Sequence, residues 1–382
     1  MSTFNTTSNQ SLLLLRSEDL FSQGKWAFIN PLDAAVFNNI DNPNIIGLHQ
    51  YHHHFTECER ACSQAQYFGA AFGENVFGET AGDEKATDQS TVANSQANKA
   101  DAIAKHSLDG VVIYMPKSKQ QLAMLINNAS YLVKPNGKVL IVGENKAGIK
   151  SAPKLLEKIG EHVNKIDSAK HCGLFAVAVT NPLPSFTIAD YAQVHEYKIN
   201  QQSMHIYSLP GVFGHKQLDP GTDLLLQQLT PESLAKTRGH IYDFACGTGI
   251  IGCYLAKIIT KTKRVTMSDI SALATYCSEQ TARLNEVEVN IIACSGVAQC
   301  DPKFDVIVSN PPFHEGIQQD YSITDNFIKQ AYSRSHPHAS ITIVANRFLP
   351  YPGILDAVYK GFTEVAVSNK FRVYGAKKFA KS

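Results

Sequence analysis

The chain has 382 residues, of which 44% are hydrophobic and 18% are charged, and its net charge is +1. This composition is typical of a globular protein rather than a disordered or fibrous one, and the length favours two domains. No apolar run reaches the roughly 18 residues of a transmembrane helix, and the N-terminal leucines lack the basic residues of a signal peptide. The eight scattered cysteines indicate reduced thiols. We therefore expect a cytoplasmic protein without a membrane segment.

The first segment with unusual chemistry is rich in histidine and cysteine. "HQYHHHFTECERAC" (49–62) contains three consecutive histidines and two cysteines. This composition can bind zinc, but the spacing of the cysteines is not that of a zinc finger and a second ligand pair is missing. We therefore expect no metal site here.

Charge is unevenly distributed along the chain. Residues 73–101 are acidic and rich in small polar residues, which predicts a surface insertion or a flexible loop. Residues 116–170 hold ten lysines and only four acids, and the last fourteen residues hold five Lys or Arg and no acid. Such segments are typical of a surface that binds nucleic acid, or of solvated helix faces, and the sequence leaves both open.

Parts of the two halves resemble each other. "LDGVVIYMPKSK" (108–119) aligns with "FDVIVSNPPFHE" (304–315), and 135–160 aligns with 337–362. In each pair a short apolar strand leads into a loop and a helical pattern, so both halves are predicted to be α/β layers around mostly parallel sheets.

The halves differ in their chemistry. We place Met115 at the position of Asn310, and the first half lacks a glycine-rich turn. The sequence therefore predicts a degenerate first domain over 1–186 and a catalytic domain over 187–382.

The second domain contains a glycine-rich turn of the kind that binds cofactors. "HIYDFACGTGIIGCYLAKII" (240–259) predicts a strand, a tight turn and a helix, with glycines at 247, 249 and 252. This spacing fits the dinucleotide fingerprint, but alone it is a weak signal that a structural turn also satisfies.

Two acids narrow the choice of cofactor. Asp243 lies inside the strand before the turn, where a carboxylate would repel a pyrophosphate but suits the ammonium of a methionine group. Asp269 ends the next apolar run, where it can accept both ribose hydroxyls of S-adenosylmethionine or of NAD, or cap the following helix. The pair therefore favours S-adenosylmethionine.

The tetrapeptide Asn-Pro-Pro-Phe follows a third apolar run. The Asn310 side-chain oxygen and the Pro311 carbonyl can each accept one N–H of a planar amino group, and prolines fix the backbone. Phe313 can stack on a base taken out of its helix. An ordinary strand-ending turn is the alternative.

Together these segments resemble the ribosomal small subunit methyltransferase C family. The resemblance is carried by "LPGVFGHKQLDPGTDLLLQQL" (209–229), "DFACGTGIIG", "FDVIVSNPPFHEGIQ" and "IVANRFLPYPGILD" (343–356). It implies two tandem Rossmann-like class I methyltransferase domains, the first degenerate, and methylation of the N2 amino group of a guanine in 16S rRNA with S-adenosylmethionine. The chain departs from the family pattern at Cys246, where a glycine is usual.

The resemblance also implies a role for each matching residue. The guanine would be held by Asn310, Pro311 and Phe313. The cofactor would be bound by Asp243, Gly247 and Gly249 at its methionine end, Asp269 at its ribose, Ser295 near its adenine, and Gly221 and Thr222 close by. Gly221 and Thr222 serve equally well as a helix N-cap.

Other functions remain open at this point. The same motif serves methyltransferases that act on adenine N6 or on a protein glutamine amide, and an RNA-binding assembly factor with an inactive fold is a further alternative. A nicotinamide dehydrogenase is disfavoured by Asp243. We expect a monomer whose partner is 16S rRNA within the small ribosomal subunit, with no metal.

Overall fold

The computed structural model describes residues 7–67, 103–234, 239–259, 264–294, 296–297, 303–312 and 322–379. They form two compact units, of which the first extends to Ala192 and the second begins at Gln193. The acidic segment 73–101 lies outside the described residues. Within the described ranges, no helix combines the length and the apolar character needed to cross a bilayer.

The first unit is a seven-stranded sheet flanked by helices, with strand order β3-β2-β1-β4-β5-β7-β6. The first five of these strands are parallel, and β7 runs antiparallel to both β5 and β6. The strands are β1 (Trp26–Ile29), β2 (Ile45–His49), β3 (Ala65–Tyr67), β4 (Leu108–Tyr114), β5 (Val133–Glu144), β6 (Asn164–Ala169) and β7 (Cys172–Ala178). The helices are α1 (Asn9–Leu15), α2 (Ala35–Asn39), α3 (His52–Cys58), α4 (Lys119–Leu132) and α5 (Ala152–Leu156).

The second unit repeats this sheet and adds a hairpin. Its strand order is β12-β11-β10-β13-β14-β16-β15, and the hairpin forms a separate two-stranded sheet. The strands are β8 (Gln193–Ile199), β9 (Gln202–Ser208), β10 (His240–Phe244), β11 (Arg264–Asp269), β12 (Asn290–Ala293), β13 (Phe304–Ser309), β14 (Ser335–Asn346), β15 (Thr363–Val367) and β16 (Phe371–Lys377). The helices are α6 (Pro220–Gln228), α7 (Pro231–Leu234), α8 (Ile250–Ile258), α9 (Ala272–Leu284), α10 (Ser322–Ser333) and α11 (Tyr351–Tyr359).

The central strands of the second unit are buried on both faces. Ile241 and Val306 pack into one apolar cluster, whereas the next residues along each strand, Tyr242 and Ile307, pack into another. Alternate side chains of a strand point to opposite faces, so the continuous apolar runs of the sequence follow from helices covering both sides of the sheet.

One side-chain hydrogen bond occurs at equivalent residues of the two units. Asp109 Oδ2 accepts the backbone N–H of Lys25 at 2.7 Å, and Asp305 Oδ2 accepts that of His240 at 2.7 Å. A glycine with positive φ precedes the donor in both units, at Gly24 and Gly239. The two aspartates are therefore equivalent positions.

This equivalence corrects one prediction. Counting from the two aspartates along β4 and β13, the residue that corresponds to Asn310 is Tyr114, and the placement of Met115 there is wrong by one residue. The strand pairings likewise place Phe28 where Asp243 lies and His49 where Asp269 lies.

Candidate active site at the carboxyl edge of the second sheet

A pocket opens where β10 and β13 end side by side. Gly247, from the turn after β10, and Asn310, directly after β13, both line it, together with Asp219 and Thr222 from the start of α6. The structure thus brings three residues selected from the sequence into one cavity, and it adds Asp219, which sequence reasoning missed.

The Asn310 amide is fixed by two hydrogen bonds. Its Nδ2 donates to Asp219 Oδ2 at 3.1 Å and to Thr222 Oγ1 at 2.8 Å. Since the amide is planar, these contacts direct Oδ1 away from α6. The preceding Ser309 donates its hydroxyl to the Phe244 carbonyl at 2.7 Å, which ties the end of β13 to β10. Pro311, the next residue, is buried.

Helix α6 begins with Asp219 as its N-cap. The carboxylate Oδ2 accepts the N–H of Thr222 at 2.8 Å, and Pro220 takes the first helical position, a combination typical of a helix start. Gly221 and Thr222 are therefore first-turn residues rather than the N-cap. A Cβ at Gly221 would lie within 3.0 Å of both Asp219 Oδ2 and the Phe371 ring, so a larger side chain would disturb the cap.

The turn after β10 has an unusual backbone. Gly247 and Gly249 have φ values of 57° and 79°, and Ala245 before them has a φ of 56°. This left-handed conformation is strained for alanine. A Cβ at Gly249 would come within 2.9 Å of the Ser278 backbone, and one at Gly252 would clash with the Met267 side chain. Close packing therefore accounts for Gly249 and Gly252, and Gly247 adopts its left-handed conformation without strain.

Asp243 is a fully buried carboxylate with one unpartnered oxygen. Its Oδ2 accepts the N–H of Gly252 at 2.9 Å, while its Oδ1 has no hydrogen-bond partner among the described residues. Burial raises the pKa of Asp243 from 3.8 to about 8, with a smaller contribution from Asp269 that the Gly252 N–H opposes. A buried oxygen of this kind is stabilised by a donor, and best by a cation.

Asp269 ends β11 beside the turn. Its Oδ2 accepts the N–H of Gly247 at 3.0 Å and its Oδ1 accepts that of Ser271 at 2.9 Å. Burial raises the pKa of Asp269, and these N–H donors oppose the rise. The Ile270 N–H is a third donor to this half-buried carboxylate, which keeps acceptor capacity for a ribose hydroxyl.

The geometry fits S-adenosylmethionine. Asp243 offers an unsatisfied acceptor for an ammonium, and Asp269 offers acceptor capacity for a ribose hydroxyl, at neighbouring strand ends of a doubly wound sheet. Ser295 and Phe313, the predicted adenine and base contacts, lie outside the described residues.

The histidine-rich segment lies within the first unit. His49 is buried, with both ring nitrogens unpartnered, and burial together with His54 lowers its pKa to about 3. In the described part of the chain, no group of three or more His, Cys, Asp or Glu is placed to hold a metal ion.

Comparisons with known proteins agree with this fold. Two family models match the chain, "Methyltransferase small domain" over residues 203–375 and "Methyltransferase small domain N-terminal" over residues 75–195. The solved structure of the T. thermophilus 16S rRNA N2 G1207 methyltransferase superposes with a TM-score of 0.74 at 19% identity, covering 94% of this chain and 91% of that one.

Curated relatives are similar over nearly their full length. The ribosomal RNA small subunit methyltransferase C of Pseudoalteromonas atlantica is 41% identical over 96% of this chain and 98% of that protein. The protein of the same name from Alteromonas mediterranea is 37% identical over 97% of this chain and 99% of that protein. The chain therefore belongs to the ribosomal RNA small subunit methyltransferase C family.

Proposed function

We propose that this protein transfers a methyl group from S-adenosylmethionine to the N2 amino group of a guanine in 16S rRNA. The observation that carries the proposal is the fixed Asn310 amide, whose nitrogen is bound by α6 in the pocket that Gly247 also lines. The names of the relatives support it, and the T. thermophilus protein of this fold is described in complex with AdoMet and guanosine.

Four residues are proposed to hold the cofactor. Asp243 receives its ammonium, Asp269 receives its ribose hydroxyls, and Gly247 and Gly249 allow the backbone to approach it closely. Bound S-adenosylmethionine supplies an electrophilic methyl carbon, so that the C–N bond forms as the C–S bond breaks and its electron pair leaves on sulfur.

Asn310 and Pro311 are proposed to hold the target amino group. The Asn310 Oδ1 and the Pro311 carbonyl accept its two N–H groups, which directs the nitrogen lone pair at the methyl donor. Nitrogen becomes acidic once it is methylated, so one proton leaves to water and no strong general base is needed. The residues act by positioning and by preorganised electrostatics. Phe313 is proposed to stack on the base.

Exposed residues at the carboxyl edge of the second sheet suggest how RNA approaches. Phe348 is 61% exposed and Phe213 is 56% exposed, and Phe213 lines the pocket. Exposed Arg347 and Lys370 meet where β14 and β16 pair at the carboxyl edge, since the Arg347 N–H donates to the Lys370 carbonyl at 2.9 Å. Exposed rings beside cations are typical of surfaces that bind single-stranded RNA.

The first unit is proposed to contribute to RNA binding without catalysis. All ten lysines between residues 116 and 170 are exposed. Of these, five lie in loops, in short 3-10 helices or at a helix start at the carboxyl edge of its sheet: Lys117, Lys119, Lys146, Lys150 and Lys170. Phosphate contacts from such residues make binding depend on salt. We further propose that the protein acts as a cytoplasmic monomer on 16S rRNA assembled into the small subunit.

The proposal is tested by Asn310→Ala, with Asn369→Ala as a control at an exposed asparagine of the same sheet edge. Methyl transfer to 16S rRNA and to small subunits would be measured, and the product nucleoside would be identified by mass. We expect Asn310→Ala to lower the rate on the order of 10²-fold or more while S-adenosylmethionine still binds.

Two results would contradict the proposal. Near-normal turnover of Asn310→Ala would exclude the role of the amide, and a product other than N2-methylguanosine would exclude the substrate. If the wild-type protein fails to bind S-adenosylmethionine, an inactive RNA-binding factor is favoured instead.

A further inference from the structure

We propose that Asp219 is a positioning residue for methyl transfer, which orients the Asn310 amide and increases the negative charge on its Oδ1. This inference rests on the proposed function, because it assigns the group that prepares Asn310 for the amino group of the base. It follows from a hydrogen-bond arrangement that occurs twice in the chain with different chemistry.

In the first unit, the arrangement is made of hydroxyls alone. Ser8 is the N-cap of α1, and its Oγ accepts the N–H of Ser11 at 3.1 Å. The Ser11 hydroxyl lies 2.9 Å from that of Tyr114, the residue equivalent to Asn310. A helix cap, a hydroxyl in the first turn and the last residue of β4 are thus linked.

The second unit links the equivalent positions. Asp219 caps α6 and accepts the N–H of Thr222, and the Thr222 hydroxyl accepts from Asn310. Helix α1 packs against β5, β6 and β7, and α6 packs against β14, β15 and β16, the corresponding strands. Since both units have this link, it belongs to the fold, and a serine is sufficient to cap the helix.

In the second unit, the helix cap Asp219 also contacts Asn310 directly. Asp219 Oδ2 lies 3.1 Å from Asn310 Nδ2, whereas the Ser8 hydroxyl bonds to Ser11 alone among the side chains of the equivalent link. A carboxylate that accepts from an amide N–H makes a charge-assisted hydrogen bond. It favours the amide resonance form with more negative charge on Oδ1, because hydrogen bonds in a chain polarise one another.

This added charge would matter during the reaction. The target nitrogen becomes positive as the C–N bond forms, and Oδ1 is the acceptor placed against it. A more negative Oδ1 therefore binds the transition state more tightly than the ground state, which raises kcat rather than lowering KM. Asp219 also excludes the flipped amide, in which the Asn310 oxygen would face the carboxylate.

The first unit shows which substitution at Asp219 tests this role. Asp219→Ser keeps a helix cap of the kind that Ser8 provides but removes the contact with Asn310. Asp219→Asn keeps the shape and removes the charge. Tyr114→Phe breaks the equivalent link in the first unit and serves as the control.

We expect Asp219→Ser to lower kcat on the order of 10²-fold, with the KM for rRNA, the Kd for S-adenosylmethionine and the Tm close to those of the wild type. Asp219→Asn should lose about tenfold, and Tyr114→Phe should keep wild-type kcat. The decisive measurement is the double variant. If Asp219 acts through Asn310, Asp219→Ser should change the rate of Asn310→Ala by less than about threefold, because residues in one network are not additive.

The inference is overturned if Asp219→Ser keeps wild-type kcat, if its loss is explained by weaker cofactor binding, or if its effect persists in Asn310→Ala. If Asp219→Ser does not fold, the Asp219→Asn variant and its double variant decide in the same way. These outcomes are separate from failure of the proposed function, which would show as absence of N2-methylguanosine in the wild-type reaction.

Discussion

For Asp243 we predict that the same substitution stabilises the fold and weakens cofactor binding. Its carboxylate is fully buried, and burial raises its pKa to about 8. In the unfolded chain it ionises near its ordinary pKa of 3.8. The folded state therefore holds a proton that the unfolded state releases, and stability must fall as the pH rises from about 4 to about 8.

The size of this effect can be worked out. Between pH 3.8 and pH 7 the carboxyl group loses about 1.4 kcal/mol of folding free energy per pH unit, on the order of 4 kcal/mol in total. Asp243→Asn removes that loss. Its amide can still accept the Gly252 N–H, but its NH₂ takes the place of the unpartnered Oδ1, which costs about 1–3 kcal/mol.

We therefore expect cofactor-free Asp243→Asn to be about 1–3 kcal/mol more stable than the wild type at pH 7. The advantage should shrink on acidification and vanish near pH 5, where the remaining charge penalty and the cost of the unpaired amide cancel; below about pH 4 only the cost of the amide remains. Urea or thermal unfolding at several pH values between 4 and 8 measures the difference. A difference that does not change with pH, or a variant that is less stable at pH 8, would refute the reasoning.

The same substitution should impair cofactor binding. The loss of a hydrogen bond to a charged group costs about 1.5–3 kcal/mol, which is roughly a tenfold to hundredfold loss of affinity. Wild-type Asp243 is mostly protonated at pH 7, so binding of an ammonium beside it should release close to one proton. Calorimetry in buffers of different ionisation enthalpy detects this release, which Asp243→Asn should lack.

Three further predictions concern other surfaces and the first unit. Phe348→Ala should raise the KM for rRNA roughly tenfold without changing cofactor affinity, because one base–aromatic stack contributes about 1–3 kcal/mol. The control is Phe379→Ala, which removes a similarly exposed ring at the opposite sheet edge and should have no effect in the same assay. Replacing Lys117 and Lys119 by Gln should reduce the slope of log K against log salt by about 1–2, as measured by RNA binding titrations. His49→Leu should make the stability of the first unit less sensitive to acid. Because the pKa of folded His49 is lowered to about 3, only the unfolded chain binds a proton there below pH 6.5, and the folding free energy falls as the pH falls toward 3. Unfolding measured between pH 7 and pH 4 tests this.

The sequence allowed much of the fold to be predicted, because its signals are local. The apolar run of β10, the glycines after it and the prolines after Asn310 each determine backbone conformation within a few residues. Parallel strands bring their carboxyl ends to one edge, so Gly247 and Asn310 were expected in one pocket, and both line it.

What the sequence could not reveal depends on distant contacts. "LDPGTD" carries the Asp-Pro signal of a helix start, which would have identified Asp219 as the cap. Its bond to Asn310 joins residues 91 positions apart and is decided by how α6 packs on the sheet. The error at Met115 has a different origin: it is a miscount, because the ungapped alignment of 108–119 with 304–315 already places Tyr114 opposite Asn310, and the pairing of β4 with β1 agrees.

The two units together show how one fold gains or loses chemistry. The first unit has Phe28, His49 and Tyr114 where the second has Asp243, Asp269 and Asn310. Phe28 replaces a carboxylate that is costly to bury, and Tyr114 uses its own hydroxyl to complete the link to α1, whereas His49 leaves two buried ring nitrogens unpartnered. The strained turn follows the same rule, since the position of Ala245 is taken by Asn30, with a φ of 58°, a residue type that tolerates this conformation. At these positions the buried carboxylates and the strained alanine occur in the second unit, as expected if they serve binding and catalysis there. Restoring a carboxylate by Phe28→Asp should therefore destabilise the first unit by several kcal/mol without creating cofactor binding, because the glycine turn that such binding requires has no counterpart after β1.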